Sequence, residues 1–164
     1  MDFKIGEHVS RTEKATEKWF DLSEDLNQHG FEVLLAHISR KTLDRWVRDC
    51  TRSVRNPVTK RKEPKLDEKA LWRLYASHVI RDWRGLTVGM LRKMIVLTGC
   101  DEVAAETVVA CNQENVVSLL ENAFDFDTVV TDIARDPANF LEGGPRETEE
   151  EETEVVAEEE ARGN

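Results

Sequence analysis

The stretch DEKALWRLYASHVIRDWRG, residues 67–85, carries the clearest helical pattern in the chain. Leu71, Leu74, Tyr75, His78, Val79 and Trp83 fall at i, i+3, i+4, i+7, i+8 and i+12, one stripe of a helix with 3.6 residues per turn. Asp67 is suited to cap its start, and Gly85 to end it as the residue just past the last turn. A helix with such a stripe must be covered by other elements, so this segment points to a mainly α fold built from amphipathic helices.

Upstream, Asn56-Pro57 and Glu63-Pro64 bracket a basic linker, because the residue before each proline is pushed out of the α region. Before it, Ser39 can cap a helix over residues 40–52. Its stripe is Leu43, Trp46, Val47 and Cys50, and its other face carries Arg45, Arg48, Asp49 and Arg52. Earlier still, Trp19-Phe20-Asp21-Leu22 and Phe31-Glu32-Val33-Leu34-Leu35 read as two strands around the polar stretch 23–30. A lone hairpin is marginal in water, so this N-terminal β-hairpin is expected to pack on the helices. Residues 1–14 are polar and read as a flexible N-terminus.

Downstream, a helix over 88–97 stops before Gly99, and another over 101–111 carries Val103, Thr107, Val108 and Cys111. Asn112 caps the next, with Val116, Val117, Leu119 and Leu120 on its stripe. A last helix begins near Asp125 or Asp127 with Val129, Val130 and Ile133, and Pro137 either interrupts it or opens a new turn that places Phe140 and Leu141. Gly143-Gly144-Pro145 ends the folded part. Residues 15–141 thus read as a single helical domain of five or six short amphipathic helices with an N-terminal hairpin. Residues 142–164 read as a disordered acidic tail, with too little apolar surface to order itself.

The chain has 164 residues and a net charge of −10, but the charge is segregated. Residues 142–164 hold ten Glu against two Arg, whereas residues 40–62 hold nine Lys or Arg against two Asp. No stretch approaches the ~20 apolar residues of a membrane span, and the N-terminus has no apolar signal-peptide core. Cys50, Cys100 and Cys111 are odd in number and widely spaced, unlike a secreted disulfide framework. These features point to a soluble cytoplasmic protein with no membrane partner.

No chemical constellation emerges. The cysteines and histidines lack paired zinc spacings, there is no phosphate loop or nucleophile motif, and His78 reads as a satisfied core histidine. Asp125, Asp127, Asp132 and Asp136 read as a solvated acidic face favoured by the helix dipole. No catalytic, cofactor or metal residue is assigned, and a binding role without turnover is expected. The basic band of Arg45, Arg48, Arg52, Arg55, Lys60, Arg61 and Lys62 reads most simply as a solvated face and charged loop. A protein contact is the next reading. Nucleic acid is the weakest, because the only aromatic there, Trp46, sits on the buried stripe.

Ordered segments of the chain resemble the tail assembly chaperones of long-tailed, siphovirus-type bacteriophages. The likeness runs over residues 17–141. It rests on Trp19-Phe20-Asp21-Leu22 answered by 31–35, the basic segment, a helix from Leu71 to Ile80 ending in Arg81-Asp82-Trp83-Arg84-Gly85-Leu86-Thr87, Gln113-Glu114-Asn115-Val116-Val117-Ser118-Leu119-Leu120, Ile133-Ala134-Arg135-Asp136 and Asn139-Phe140-Leu141. The resemblance implies a protein of the host cytoplasm that binds the long tape measure protein, keeps it soluble and helps recruit tail tube protein during tail morphogenesis. Self-association is left open beside these. Candidates for partner contact are Trp83, Leu86, Arg45, Arg48, Arg52, Leu119 and Phe140. The alternative is a nucleic-acid-associated or protein-binding regulator using the basic 40–62 band.

Overall fold

The computed structural model describes Lys4 and residues 16–141. The expected flexible N-terminus, Lys4 apart, and the acidic tail lie outside the described residues. Among the described residues two antiparallel sheets with five strands stand beside six α-helices, which corrects the expectation of a mainly α bundle with one hairpin. Three segments account for the difference.

The two aromatic runs pair as β1 (Glu17–Asp21) and β2 (Glu32–Ala36), antiparallel, with Trp19 opposite Leu34 and Asp21 opposite Glu32. Between them the chain makes one helical turn, α1 (Ser23–Leu26). Asp21 Oδ1 accepts from the Ser23 amide at 2.9 Å, and Ser23 Oγ accepts from the Gly30 amide at 2.9 Å. Phe31, Val33 and Leu35 alternate inward and are fully buried.

The first correction falls in the stretch that reads most clearly as helix. Helix α3 (Glu68–His78), capped by Asp67 Oδ1 on the Ala70 amide at 3.1 Å, ends seven residues before Gly85. The chain then forms β5 (Ile80–Arg84), which pairs antiparallel with β2, making the sheet order β1-β2-β5. Leu35 faces Ile80 and Leu34 faces Asp82, so the register slips by one residue at Arg81. A bulge of this kind re-aims side chains by one position. It turns both Ile80 and Trp83 inward, three residues apart, and so imitates helical spacing inside a strand. On the solvent side Arg84 lies 4.2 Å over the Trp19 ring and pairs with Glu32, while Arg81 pairs with Glu17 at 3.0 Å.

Gly85 adopts φ +79°, not to end a helix but to leave this strand. A Cβ there would run into the carbonyl oxygen of Gly30.

The second correction concerns the linker. Helix α2 (Arg40–Cys50) is capped by Ser39, whose Oγ accepts from the Thr42 amide at 3.2 Å, and it buries Trp46 and Cys50. It stops at Cys50 instead of residue 52, because β3 (Thr51–Arg55) and β4 (Lys62–Leu66) form a second antiparallel hairpin. Asn56 builds its tip, with Oδ1 accepting from the Val58 and Thr59 amides at 2.8 and 3.2 Å, and Lys60 takes φ +61°. Pro64 is tolerated because a two-stranded sheet has only edge strands.

The third correction lies at residues 95–112. Helix α4 (Val88–Met94) is shorter than expected, and residues 101–111 form no helix. They fold back on α4 in irregular turns: Val88 and Gly89 donate to the carbonyls of Thr107 and Ala105 (2.9 Å each), and Val109 donates to Leu86 (2.9 Å). Arg92 Nη2 clamps the loop by donating to Cys100 and Val103 carbonyls at 2.8 and 2.6 Å.

The last two helices form where expected. Helix α5 (Gln113–Asn122) is capped by Asn112, whose Oδ1 accepts from the Asn115 amide at 2.8 Å, and buries Val116, Val117, Leu119 and Leu120. Helix α6 (Phe124–Arg135) lays Phe126, Val130, Ile133 and Ala134 into the core, and Pro137 opens a 3₁₀ turn (Pro137–Phe140).

Two glycines separate the effects at work. Gly85→Ala meets both the left-handed backbone and the Gly30 carbonyl, whereas Gly99→Ala, at φ +70°, meets open space. Gly99→Ala is expected to cost about 1 kcal/mol and Gly85→Ala at least about 3 kcal/mol in urea unfolding. Equal losses would mean that the strand exit is not clamped against Gly30.

Candidate partner-binding surfaces

Of the seven residues nominated for partner contact, four hold the fold together. Trp83 is buried, edge-on to Phe31 and Phe126 with centroids at 6.3 and 6.5 Å, and its Nε1 donates to the Val109 carbonyl at 2.8 Å. Leu86 and Leu119 are buried in the same core. Phe140 is half-buried, edge-on to Phe20 at 5.3 Å and 5.2 Å from the His37 ring. Beside Trp83 sits Cys111, whose thiol is pushed up to about 11 by burial and by the neighbouring Asp82 carboxylate.

The other three, Arg45, Arg48 and Arg52, are exposed. Arg45 and Arg48 lie on the outer face of α2, and Arg52 opens the β3–β4 hairpin. This hairpin is the first surface of distinct character. Residues 51–66 contain Arg52, Arg55, Lys60, Arg61, Lys62 and Lys65 against Glu63, a net +5. Both strands are exposed nearly end to end. A shallow cleft at the base is lined by Arg52, Val54, Pro64, Lys65, Leu66, Asp67 and Glu68. Trp46 lies under α2 against Tyr75 at 5.9 Å. His78 is exposed, which corrects its reading as a core residue: α3 ends there, and the ring tilts over Trp46 at 5.5 Å from outside.

A second surface was missed by the sequence reading, which put Val103 and Val108 on a buried stripe. Both are exposed, Val108 by 73%, and Val96 in the same loop by 95%. The signal for a loop was present: Val103, Thr107, Val108 and Val109 are β-branched and disfavour helix. Phe124 and Leu141 are exposed at other corners of the fold.

The titratable groups of the core are few. Among the described residues the buried Tyr75 hydroxyl has no partner in hydrogen-bonding geometry, and desolvation pushes its pKa up against the opposing pull of the nearby Arg135 guanidinium. Desolvation likewise raises Asp127, opposed by Thr131, whose Oγ1 donates to it at 3.2 Å. Among the described residues no group of His, Cys, Asp and Glu is placed to hold a metal ion, and no helix is long and apolar enough to cross a membrane. No protein-family model matches the chain, and comparison with curated proteins and with solved structures returned no match.

Two measurements follow from the Trp83 neighbourhood. Trp83→Ala is expected to destabilise the fold by about 3–5 kcal/mol in denaturant unfolding; a loss below about 1 kcal/mol would mean that Trp83 is not core. The Cys111 thiol keeps its proton in the folded state above pH 9, where the unfolded thiol loses it. Its contribution is therefore complete below pH 9 and is lost as pH rises from 9 to about 11. The urea midpoint of Cys111→Ala should fall less steeply across that window than that of the parent chain, and parallel slopes would exclude the linkage.

Proposed function

We propose that the chain is a tail assembly chaperone of the long-tailed bacteriophage type. In this reading it binds the tape measure protein in the host cytoplasm, keeps it soluble and helps recruit tail tube subunits, without turnover. One observation carries the reading. The two segments with the strongest likeness to that family, residues 82–86 and 114–120, converge on adjacent carbonyls: Trp83 Nε1 donates to Val109, and Asn115 Nδ2 donates to Ala110 at 2.9 Å. Between them they clamp the end of the loop that presents Val96, Val103 and Val108 to solvent.

A tape measure protein is a long helical chain whose apolar stripe aggregates when left bare. The valine loop offers apolar contacts for that stripe, and the basic hairpin offers charge to guide it in. Burial of apolar surface is not screened by salt, whereas ion pairs are.

The exposed basic hairpin also favours a second reading, a nucleic-acid-associated regulator. Two-stranded ribbons of this kind fit a nucleic acid groove. Phosphate binding would weaken steeply with salt, and apolar capture would not.

Co-expressed with the long helical protein encoded beside it, the chain should hold that partner in the soluble fraction in stoichiometric amount, at low salt and at about 1 M salt alike. The triple variant Val96→Asp, Val103→Asp, Val108→Asp should lose this effect while melting as the parent does. A partner that pellets equally with and without the chain would overturn the chaperone reading.

A further inference from the structure

The β3–β4 hairpin is an unusual object to leave in water. Its ladder sets Arg52 opposite Lys65 and Arg55 opposite Lys62, two cation pairs directly across the strands. Like charges in that relation destabilise a sheet, and an isolated two-stranded hairpin is marginal to begin with. The Glu63 carboxylate is engaged at the tip, accepting from Asn56 Nδ2 at 3.0 Å. Among the described residues no ion pair uses any of the six hairpin cations. Among the described residues the outer hairpin cations thus have no ion-paired anion, Asp67 and Glu68 bordering only the cleft at the base, where Val54, Pro64 and Leu66 add apolar surface.

The chain itself contains a segment of matching composition. Residues 147–160, outside the described part, hold nine Glu and no Lys or Arg, and the acidic runs flank Val155-Val156-Ala157. Its reach is sufficient. The described chain ends at Leu141, next to Phe140, whose ring lies 5.2 Å from His37. His37 stands two residues before the cap of α2, and α2 leads directly into β3. Eleven helical residues span roughly 17 Å. The eight residues from Leu141 to Glu149 span up to about 27 Å when extended.

We propose that the β3–β4 hairpin is the docking site of the chain's own acidic segment, residues 147–160, which lies along it within the same molecule. Glutamates separate the facing cations, and Val155-Val156 meets the apolar base. Tethering gives the segment an effective concentration on the order of mM, so an external polyanion must displace it to reach the hairpin. The inference does not depend on the chaperone reading.

Carbodiimide coupling joins neighbouring lysine and glutamate side chains without a spacer and tests the contact in the full chain. Equal amounts of ¹⁵N-labelled and unlabelled protein, coupled at about 20 mM salt, should yield links from Lys60, Lys62 and Lys65 to the glutamates of 147–160, all within one isotope. The links should be lost at about 0.5 M salt. Lys69 and Lys93, exposed but outside the hairpin, should link far less. Links spread evenly over all five lysines, or none at low salt, overturn the proposal. Mixed-isotope links overturn it in favour of a second copy as the occupant. As a separate measure, the full-length variant Glu149→Gln, Glu150→Gln, Glu151→Gln, Glu152→Gln should bind a short DNA duplex at least about tenfold more tightly than the parent. Equal binding by the two would mean that the segment does not cover the hairpin.

Discussion

Strand β2 and the residue that leads into it must hide Phe31, Val33 and Leu35 on one face, and most of the architecture follows from that requirement. No single helix near it in sequence can cover all three. The cover comes from α6, more than ninety residues later, with Phe126 stacked on Phe31 at 6.0 Å and Trp83 set edge-on to both. The far end of the strand is closed by the same helix: the Ile38 amide donates to the Ala134 carbonyl at 3.0 Å, and His37 Nδ1 lies 2.9 Å from the same oxygen. Strand β1 and helix α6, far apart in sequence, thus meet at β2 and the two residues that follow it. Such distant pairings must overcome loop-closure entropy before they stabilise anything, so the core forms as a unit.

Two parts of the chain stand outside that unit. The β3–β4 hairpin joins the body through the short connection from α2 and the start of α3, with the Asp67 amide donating to the Cys50 carbonyl at 2.8 Å. The loop 95–111 is tied by backbone hydrogen bonds to residues 86–89 and by the Arg92 clamp. Neither contributes a large buried side chain to the centre. Segments with few buried apolar contacts open at lower cost than the core, and their surfaces change without loss of the fold. In the proposed reading the binding surfaces belong on these parts, while Trp83, Leu86 and Leu119 are buried in the core beneath them.

This division also explains what was legible in the sequence. The β1 and β2 runs, the Ser39 and Asn112 caps and the Pro137 turn each rest on a local signal, and each forms. The failures are of a different kind. Trp83 fell on a helical stripe because the bulge at Arg81 spaces two inward residues by three, a spacing set by pairing with β2 and invisible within residues 67–85. Pro57 and Pro64 argued against a helix and hence for a linker, yet prolines are compatible with a turn and an edge strand, which residues 51–66 adopt. Residues 101–111 showed a helical count of apolar positions, but their β-branched composition and their backbone partners at 86–89 decided otherwise. At the candidate site the exposed arginines were legible as charge. The valine loop was not, because its exposure depends on where the fold leaves it.

The two outlying surfaces differ in physics, and under the proposed function that difference gives them different work. The hairpin acts through a field that reaches about a Debye length, roughly 8–10 Å at physiological salt. Such a field raises the rate of encounter and sets the sign of what approaches. The valines would act only at contact, through burial that is insensitive to salt and governs how long a complex lasts. A partner drawn in by charge and held by apolar contact would need both. A tethered acidic segment lying on the hairpin would then oppose encounter without weakening the apolar hold, because it competes for the cations and not for Val96, Val103 or Val108. In that arrangement control over capture resides in the distribution of charge along one chain, separate from the core that gives it shape.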